Sequence, residues 1–110
     1  MTKEELRQYR SIKEEICQIE RHIKDLERMG DHSDLLQTLG DLYRQKLQSL
    51  VDLQLRIESA IEFLTSTERQ LMRLRYIDGA DWTEVAATIN YEWAQTHRVH
   101  ARALAKIKNL

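Results

Sequence analysis

The sequence of 110 residues has no proline, three glycines, one cysteine and one phenylalanine, and no uncharged stretch longer than the seven residues from Val85 to Tyr91. A stretch of seven is far too short for a membrane-spanning helix, and the N-terminal MTKEEL lacks the apolar run of a signal peptide. These absences point to a soluble protein of the cytoplasm. With Cys17 as the lone cysteine, neither an intrachain disulfide nor a cysteine zinc site can be built. Nothing here interrupts helices as proline does, and Glu, Leu, Arg and Gln are abundant, so long helices and an all-α fold are expected. The length allows one short folded unit or two small ones.

The net charge is only −1, but it is unevenly divided. Residues 1–65 carry ten Lys/Arg against thirteen Asp/Glu, whereas residues 66–110 carry seven against five. From Trp93 onward Arg98, Arg102, Lys106 and Lys108 are met by no acidic residue. A surface for a polyanion belongs at the C-terminal end.

Residues 1–64 read as a helical hairpin. Thr2 with Glu5 is a capping-box pattern, and Leu6, Tyr9, Ile12, Ile16, Ile19, Ile23 and Leu26 follow at spacings of three and four, as on one face of a single helix. Gly30 in RMGDHSD supplies the stop, and Asp31 or Ser33 can cap the next start. Beyond it Leu36, Tyr43, Leu50, Ile57 and Leu64 recur every seven residues, interleaved with Leu39, Leu47, Leu53 and Ile61, the mark of a coiled-coil-like helix. So short a loop makes the two helices antiparallel neighbours. Two helices bury little, however, and Leu35, Leu42 and Leu55 need cover from a second copy of the chain, a partner protein, or the C-terminal domain folding back. A homodimer through this hairpin is the expectation. Gly40 marks close helix approach or fraying, Tyr9 and Tyr43 read as packing residues, and Cys17 reads as a small buried hydrophobe.

Residues 65–110 carry the more specific pattern. In LTSTERQLMRLRYIDG, Thr65 and Glu68 form a second capping box, and Leu71, Met72, Leu74 and Tyr76 precede a stop at Gly79. Asp81 and Glu84 repeat the device in GADWTEVAATIN, with Val85, Ala86 and Ile89 on the buried side. A turn at Asn90–Tyr91 and a further helix in EWAQTHRVHARALAKIKNL complete a helix-turn-helix. On the last helix Thr96, Val99, Ala103, Leu104 and Ile107 share the inward face, leaving Trp93, Ala94, Gln95, His97, Arg98, Ala101 and Arg102 outside. Arg98 can pair bidentately with guanine and Gln95 with adenine, so Gln95, His97 and Arg98 are the candidates for base choice on double-stranded DNA. Arg98, Arg102 and Lys106, four residues apart in turn, form a basic stripe suited to phosphates.

Through LTSTERQLMRLRYIDG, WTEVA and RVHARALAKI, residues 65–110 resemble the C-terminal DNA-binding domain of bacterial sigma factors, region four. The whole chain resembles the small phage-encoded late transcription regulators of the ArpU and RinA type. Leu64, Glu68, Arg69, Arg75, Tyr76, Gly79, Trp82, Glu84, Ala86, Tyr91, Arg98, His100, Ala103 and Leu104 match that pattern. The resemblance implies a transcription regulator of phage or prophage origin that activates late genes as a dimer. It also implies that Trp93, Ala94, Gln95, His97 and Arg98 read promoter bases, with Arg102 toward the backbone. Departures from the pattern are Glu92 at the usual serine or threonine cap, Asn90 at the turn glycine, and Trp93 and Ala94 at commonly basic positions.

Rival readings remain. Sigma-like domains also meet RNA polymerase, and a near-neutral chain with an outward Trp93 suits a protein-interaction module. A DNA-packaging recognition subunit likewise joins a helix-turn-helix to helical oligomerisation segments, but usually places the DNA reader first. His97 and His100, three apart, have a spacing seen in metal sites, yet no carboxylate or cysteine lies near them in sequence. The four histidines read instead as surface or groove contacts. The sequence holds no nucleophile elbow, phosphate-cradling glycine loop or paired acidic site, so no enzymatic activity and no cofactor are expected.

Overall fold

A computed structural model of the chain describes residues 1–30 and 33–110; Asp31, one of the two expected caps, and His32 lie outside them. Every regular element among the described residues is helical. In order these are α1 (Lys3–Arg7), α2 (Tyr9–Met29), α3 (Asp34–Glu62), α4 (Ser66–Met72), a π-helical turn (Arg73–Ile77), α5 (Trp82–Ile89) and α6 (Trp93–Ile107). None is long and apolar enough to cross a membrane.

The predicted starts and stops are met by the residues named for them. Thr2 Oγ1 accepts from the Glu5 N–H at 3.2 Å while a Glu5 carboxylate oxygen accepts from the Thr2 N–H at 3.2 Å. Ser33 Oγ accepts from the Leu36 N–H at 3.3 Å. Gly30 takes a left-handed conformation with φ +62°. The first helix is not continuous, however: it breaks at Gln8, whose N–H turns to Glu5 O at 3.2 Å in a tightened turn.

The described residues form two compact units, Ser11–Leu55 and Met1–Arg10 with Arg56–Leu110. These units meet along the chain after Arg10 and after Leu55, while the hydrophobic pattern changes at Leu64. The heptad runs unbroken through Ile57 and Leu64, and period alone does not say which core a residue joins.

In the unit Ser11–Leu55, α2 and α3 pack as the two arms of an antiparallel hairpin. Ile12, Ile19, Ile23 and Leu50 are buried, and His22 stacks on Tyr43 with ring centroids 5.3 Å apart. Cys17 is exposed rather than buried, because it stands one residue off the isoleucine stripe and so about 100° round the helix from Ile16. Leu35, Leu42 and Leu55 also stay exposed, at 79%, 57% and 59%.

In the other unit, the core is Leu6 and Tyr9 from the N-terminal segment, Ile57 and Ile61 from the end of α3, Leu64 just after it, and Leu71, Met72, Val85, Val99, Ala103 and Ile107 beyond. Polar contacts bind the N-terminal segment here as well. Tyr9 Oη donates to Glu58 at 2.5 Å, Arg56 pairs with Glu5 at 3.2 Å, and the Met1 nitrogen donates to the carbonyls of Ile107 at 3.1 Å and Leu110 at 2.8 Å, where α6 has carbonyls to spare. Arg73 joins the π-helical turn to α3 through Glu58 at 2.9 Å and Glu62 at 2.7 Å.

Candidate nucleic-acid interface

Three local devices set α5 and α6 as a helix-turn-helix. Asp81 caps α5 by accepting from the Glu84 N–H at 2.8 Å. Asn90 ends it in the left-handed region, φ 59° and ψ 43°, and the Tyr91 N–H reaches back to Ala86 O at 3.1 Å. Asparagine is the side chain that best tolerates this conformation after glycine, so the turn is kept despite the departure from the sigma pattern. Glu92 then caps α6, with its own N–H donating to Gln95 Oε1 over a long 3.4 Å.

The residues nominated for DNA contact divide into three groups. Trp93, Ala94, Gln95 and Arg98 stand exposed together on the first turns of α6. Gln95, Arg98, Arg102, Tyr91 and Val99 line a shallow groove of about 250 Å³ beside them. Arg98 has no carboxylate partner among the described residues, and its guanidinium is available for a ligand.

His97 lies differently from the spacing argument. It is half-buried, its ring 4.6 Å from both Trp82 and Trp93, and its buried Nε2 has no hydrogen-bond partner. His100 is not a surface residue at all: it is buried, shares a 2.7 Å hydrogen bond with Tyr76 Oη, and meets Trp82 edge-on at 4.6 Å. Burial, and after it the nearby Lys3, His97, Arg75 and Arg7 charges, push its pKa down to about 4, so it stays neutral at pH 7. The stripe Thr96, His100, Ala103, Ile107 is itself helical in spacing, and this was the signal that His100 faces inward. Among the described residues no three His, Cys, Asp or Glu side chains stand together to hold a metal.

The third group is Arg102 and Lys106, and both point at Glu68. Arg102 Nε donates to Glu68 Oε2 at 3.1 Å and Lys106 Nζ to Oε1 at 2.8 Å, while the Thr65 hydroxyl and N–H donate to Oε1 at 2.6 and 3.1 Å. The carboxylate is wholly buried. Burial raises its pKa, but the donors from Lys106, Thr65 and Arg102 outweigh that and hold it at about 2. Glu68 is therefore both the closing residue of the α4 capping box and the anchor that fixes α6 against α4. Sequence reasoning found the first role, because its partner is three residues away, and missed the second, whose partners are 34 and 38 residues away. The basic stripe is only part free: Arg102 keeps an exposed guanidinium, and Lys106 is more fully committed to Glu68.

The chain is similar to the RNA polymerase sigma factor TcsR of Paraclostridium sordellii, at 24% identity over 101 residues. The match takes in 92% of this chain and 56% of that protein, so the chain spans a little over half the length of this relative. No family model matches the chain, and no solved structure matches it. The likeness extends through both compact units and is to a sigma factor.

Proposed function

We propose that the chain is a sequence-specific double-stranded-DNA-binding transcription regulator, without enzymatic activity or cofactor, that acts in the cytoplasm of a bacterial host. The observation that carries this reading is the outward set Trp93, Ala94, Gln95 and Arg98 at the start of α6, on a helix held from behind by the buried Glu68. Side chains at the start of the second helix of a helix-turn-helix are those that reach base edges in the major groove. Arg98 offers the fork that fits guanine; Gln95 can pair with adenine once it leaves its long bond to Glu92. Similarity to a named sigma factor supports a role in transcription. The exposed Leu35, Leu42 and Leu55 support assembly of two copies through the hairpin, which would place two reading heads on one site. A phage or prophage origin and late-gene activation rest on the resemblance to the ArpU and RinA type.

Selection of bound fragments from a random duplex pool tests the proposal. Recovery of one motif, with paired half-sites if two copies bind, is the expected result. Recovery of unrelated fragments with weak, salt-labile binding would overturn it. A second reading, contact with RNA polymerase, is favoured by Trp93, which is 56% exposed at a position where base readers are commonly basic. Binding of purified polymerase by the nuclease-treated protein, lost on Trp93→Ala, would support that reading.

A further inference from the structure

A second concave site lies away from the reading face of α6. Lys3, Arg7 and Arg10 from the N-terminal segment and Arg75 from the π-helical turn line a cleft of about 270 Å³, with Trp82 in its wall. No carboxylate among the described residues lines it, although Glu4 pairs with Arg7 from outside at 3.0 Å. Four cations converging on one hollow repel each other unless an anion sits among them.

Two backbone features serve this arrangement. The π-helical turn, closed by the Asp78 N–H on Arg73 O at 2.9 Å, presents Arg75, whose guanidinium donates to Ala80 O at 3.1 Å and lies 4.8 Å over the Trp82 ring. Gly79 has φ +75°, and a Cβ there would run into the Arg10 guanidinium, so a residue with no side chain lets Arg10 lie on the turn. Trp82 in turn touches His97, and His97 touches Trp93 at the start of α6. The cleft is thus two ring contacts from the residues proposed to read DNA.

We propose that this cleft binds a phosphate group, and that the group is a backbone phosphate of the duplex seated on α6. Its source as duplex DNA rests on the function proposed above; the phosphate chemistry does not. Arginine forks match phosphate oxygens, and a phosphate held here would order the N-terminal segment against the helix-turn-helix.

The test uses the full chain and the single variants Lys3→Gln and Arg10→Gln, whose exposed side chains can change without opening the core. Binding of a selected and an unrelated duplex is measured across a salt series, and inorganic tripolyphosphate is titrated against the tryptophan fluorescence of the Trp93→Phe chain, with and without Arg10→Gln. The expected result is that each variant binds both duplexes about 3- to 10-fold more weakly and lowers the salt slope by about one, with motif preference unchanged. An unchanged salt slope with saturable tripolyphosphate binding that Arg10→Gln abolishes would keep the phosphate site and overturn its duplex source. If the parent chain binds no duplex, the regulator reading fails, and the tripolyphosphate titration alone decides the cleft. No change in salt slope and no tripolyphosphate response overturns the proposal.

Discussion

Glu68 and Lys106 stand 2.8 Å apart at the junction of α4 and α6, the carboxylate wholly buried and the ammonium partly open to solvent. Lys106, Arg102 and Thr65 form a closed set of donors around one buried charge, and removal of that charge leaves α6 without its anchor. Glu68→Gln should destabilise the fold by about 1–3 kcal/mol at neutral pH in urea unfolding. The folded-state pKa near 2 is below the ordinary 4.5, so the stabilisation is complete above pH 4.5 and fades as pH falls toward 2. The wild type should therefore lose on the order of 2–3 kcal/mol from this site across that window. A Glu68→Gln chain with the same acid slope as the wild type would show that the site does not carry it.

The burial of His100, beside the nearby Lys3, His97, Arg75 and Arg7 charges, makes a second, separate pH dependence. The His100 pKa is lowered from 6.5 to about 4, so the unfolded chain takes up the proton first. The stability this group contributes is complete above pH 6.5 and is lost as pH falls toward 4. By NMR the His100 ring should remain neutral down to about pH 4. Tyr76→Phe should cost about 1–3 kcal/mol, since it strips a buried ring nitrogen of its partner. A His100 that titrates near 6.5 in the folded protein would contradict the burial on which this rests.

What the sequence made legible was local in origin. The caps at Thr2, Ser33, Thr65 and Asp81 and the stop at Gly79 each depend on residues within a few positions, and the structure places helix ends at all five. The outward set Trp93, Ala94, Gln95, Arg98 followed from helical spacing alone. Long-range pairings were not legible. Nothing near Glu68 in sequence announces Arg102 or Lys106, and nothing near Arg75 announces Lys3, Arg7 and Arg10, which are more than sixty residues away. Nor does anything local announce that Tyr9 meets Glu58, 49 residues away.

Gly40 gives a test in the hairpin unit. It is buried inside α3, yet a Cβ there would meet only the Arg44 guanidinium, at 3.0 Å. That guanidinium is the far end of a flexible, half-exposed side chain, held by 3.7 Å pairs to Glu27 and Asp41 that are weak in water. It can move aside by a few tenths of an ångström. Gly40→Ala should then gain helix propensity and raise stability by about 0.5–1 kcal/mol in urea unfolding. A loss of stability would mean that the helices approach too closely for a methyl group.

Arg98, Arg102 and Lys106 lie on one face of α6, but their partners separate them into a graded series. Arg98 is exposed and unpaired with any carboxylate among the described residues, so Arg98→Ala should leave stability within about 0.5 kcal/mol and weaken binding to a selected duplex by about 1–3 kcal/mol, with relaxed preference at one base. Arg102 gives Nε to Glu68 while its side chain stays 58% exposed, so Arg102→Ala should lower both stability and binding, the latter alike on all sequences. Lys106 is the more enclosed of the two Glu68 partners, so its charge is already matched within the fold. Lys106→Met should lower stability by about 1–2 kcal/mol and leave the salt slope of binding nearly unchanged. Thermal unfolding and salt-dependent titration of the three variants would show this order, and equal losses of binding without loss of stability in all three would return Arg102 and Lys106 to a simple phosphate stripe.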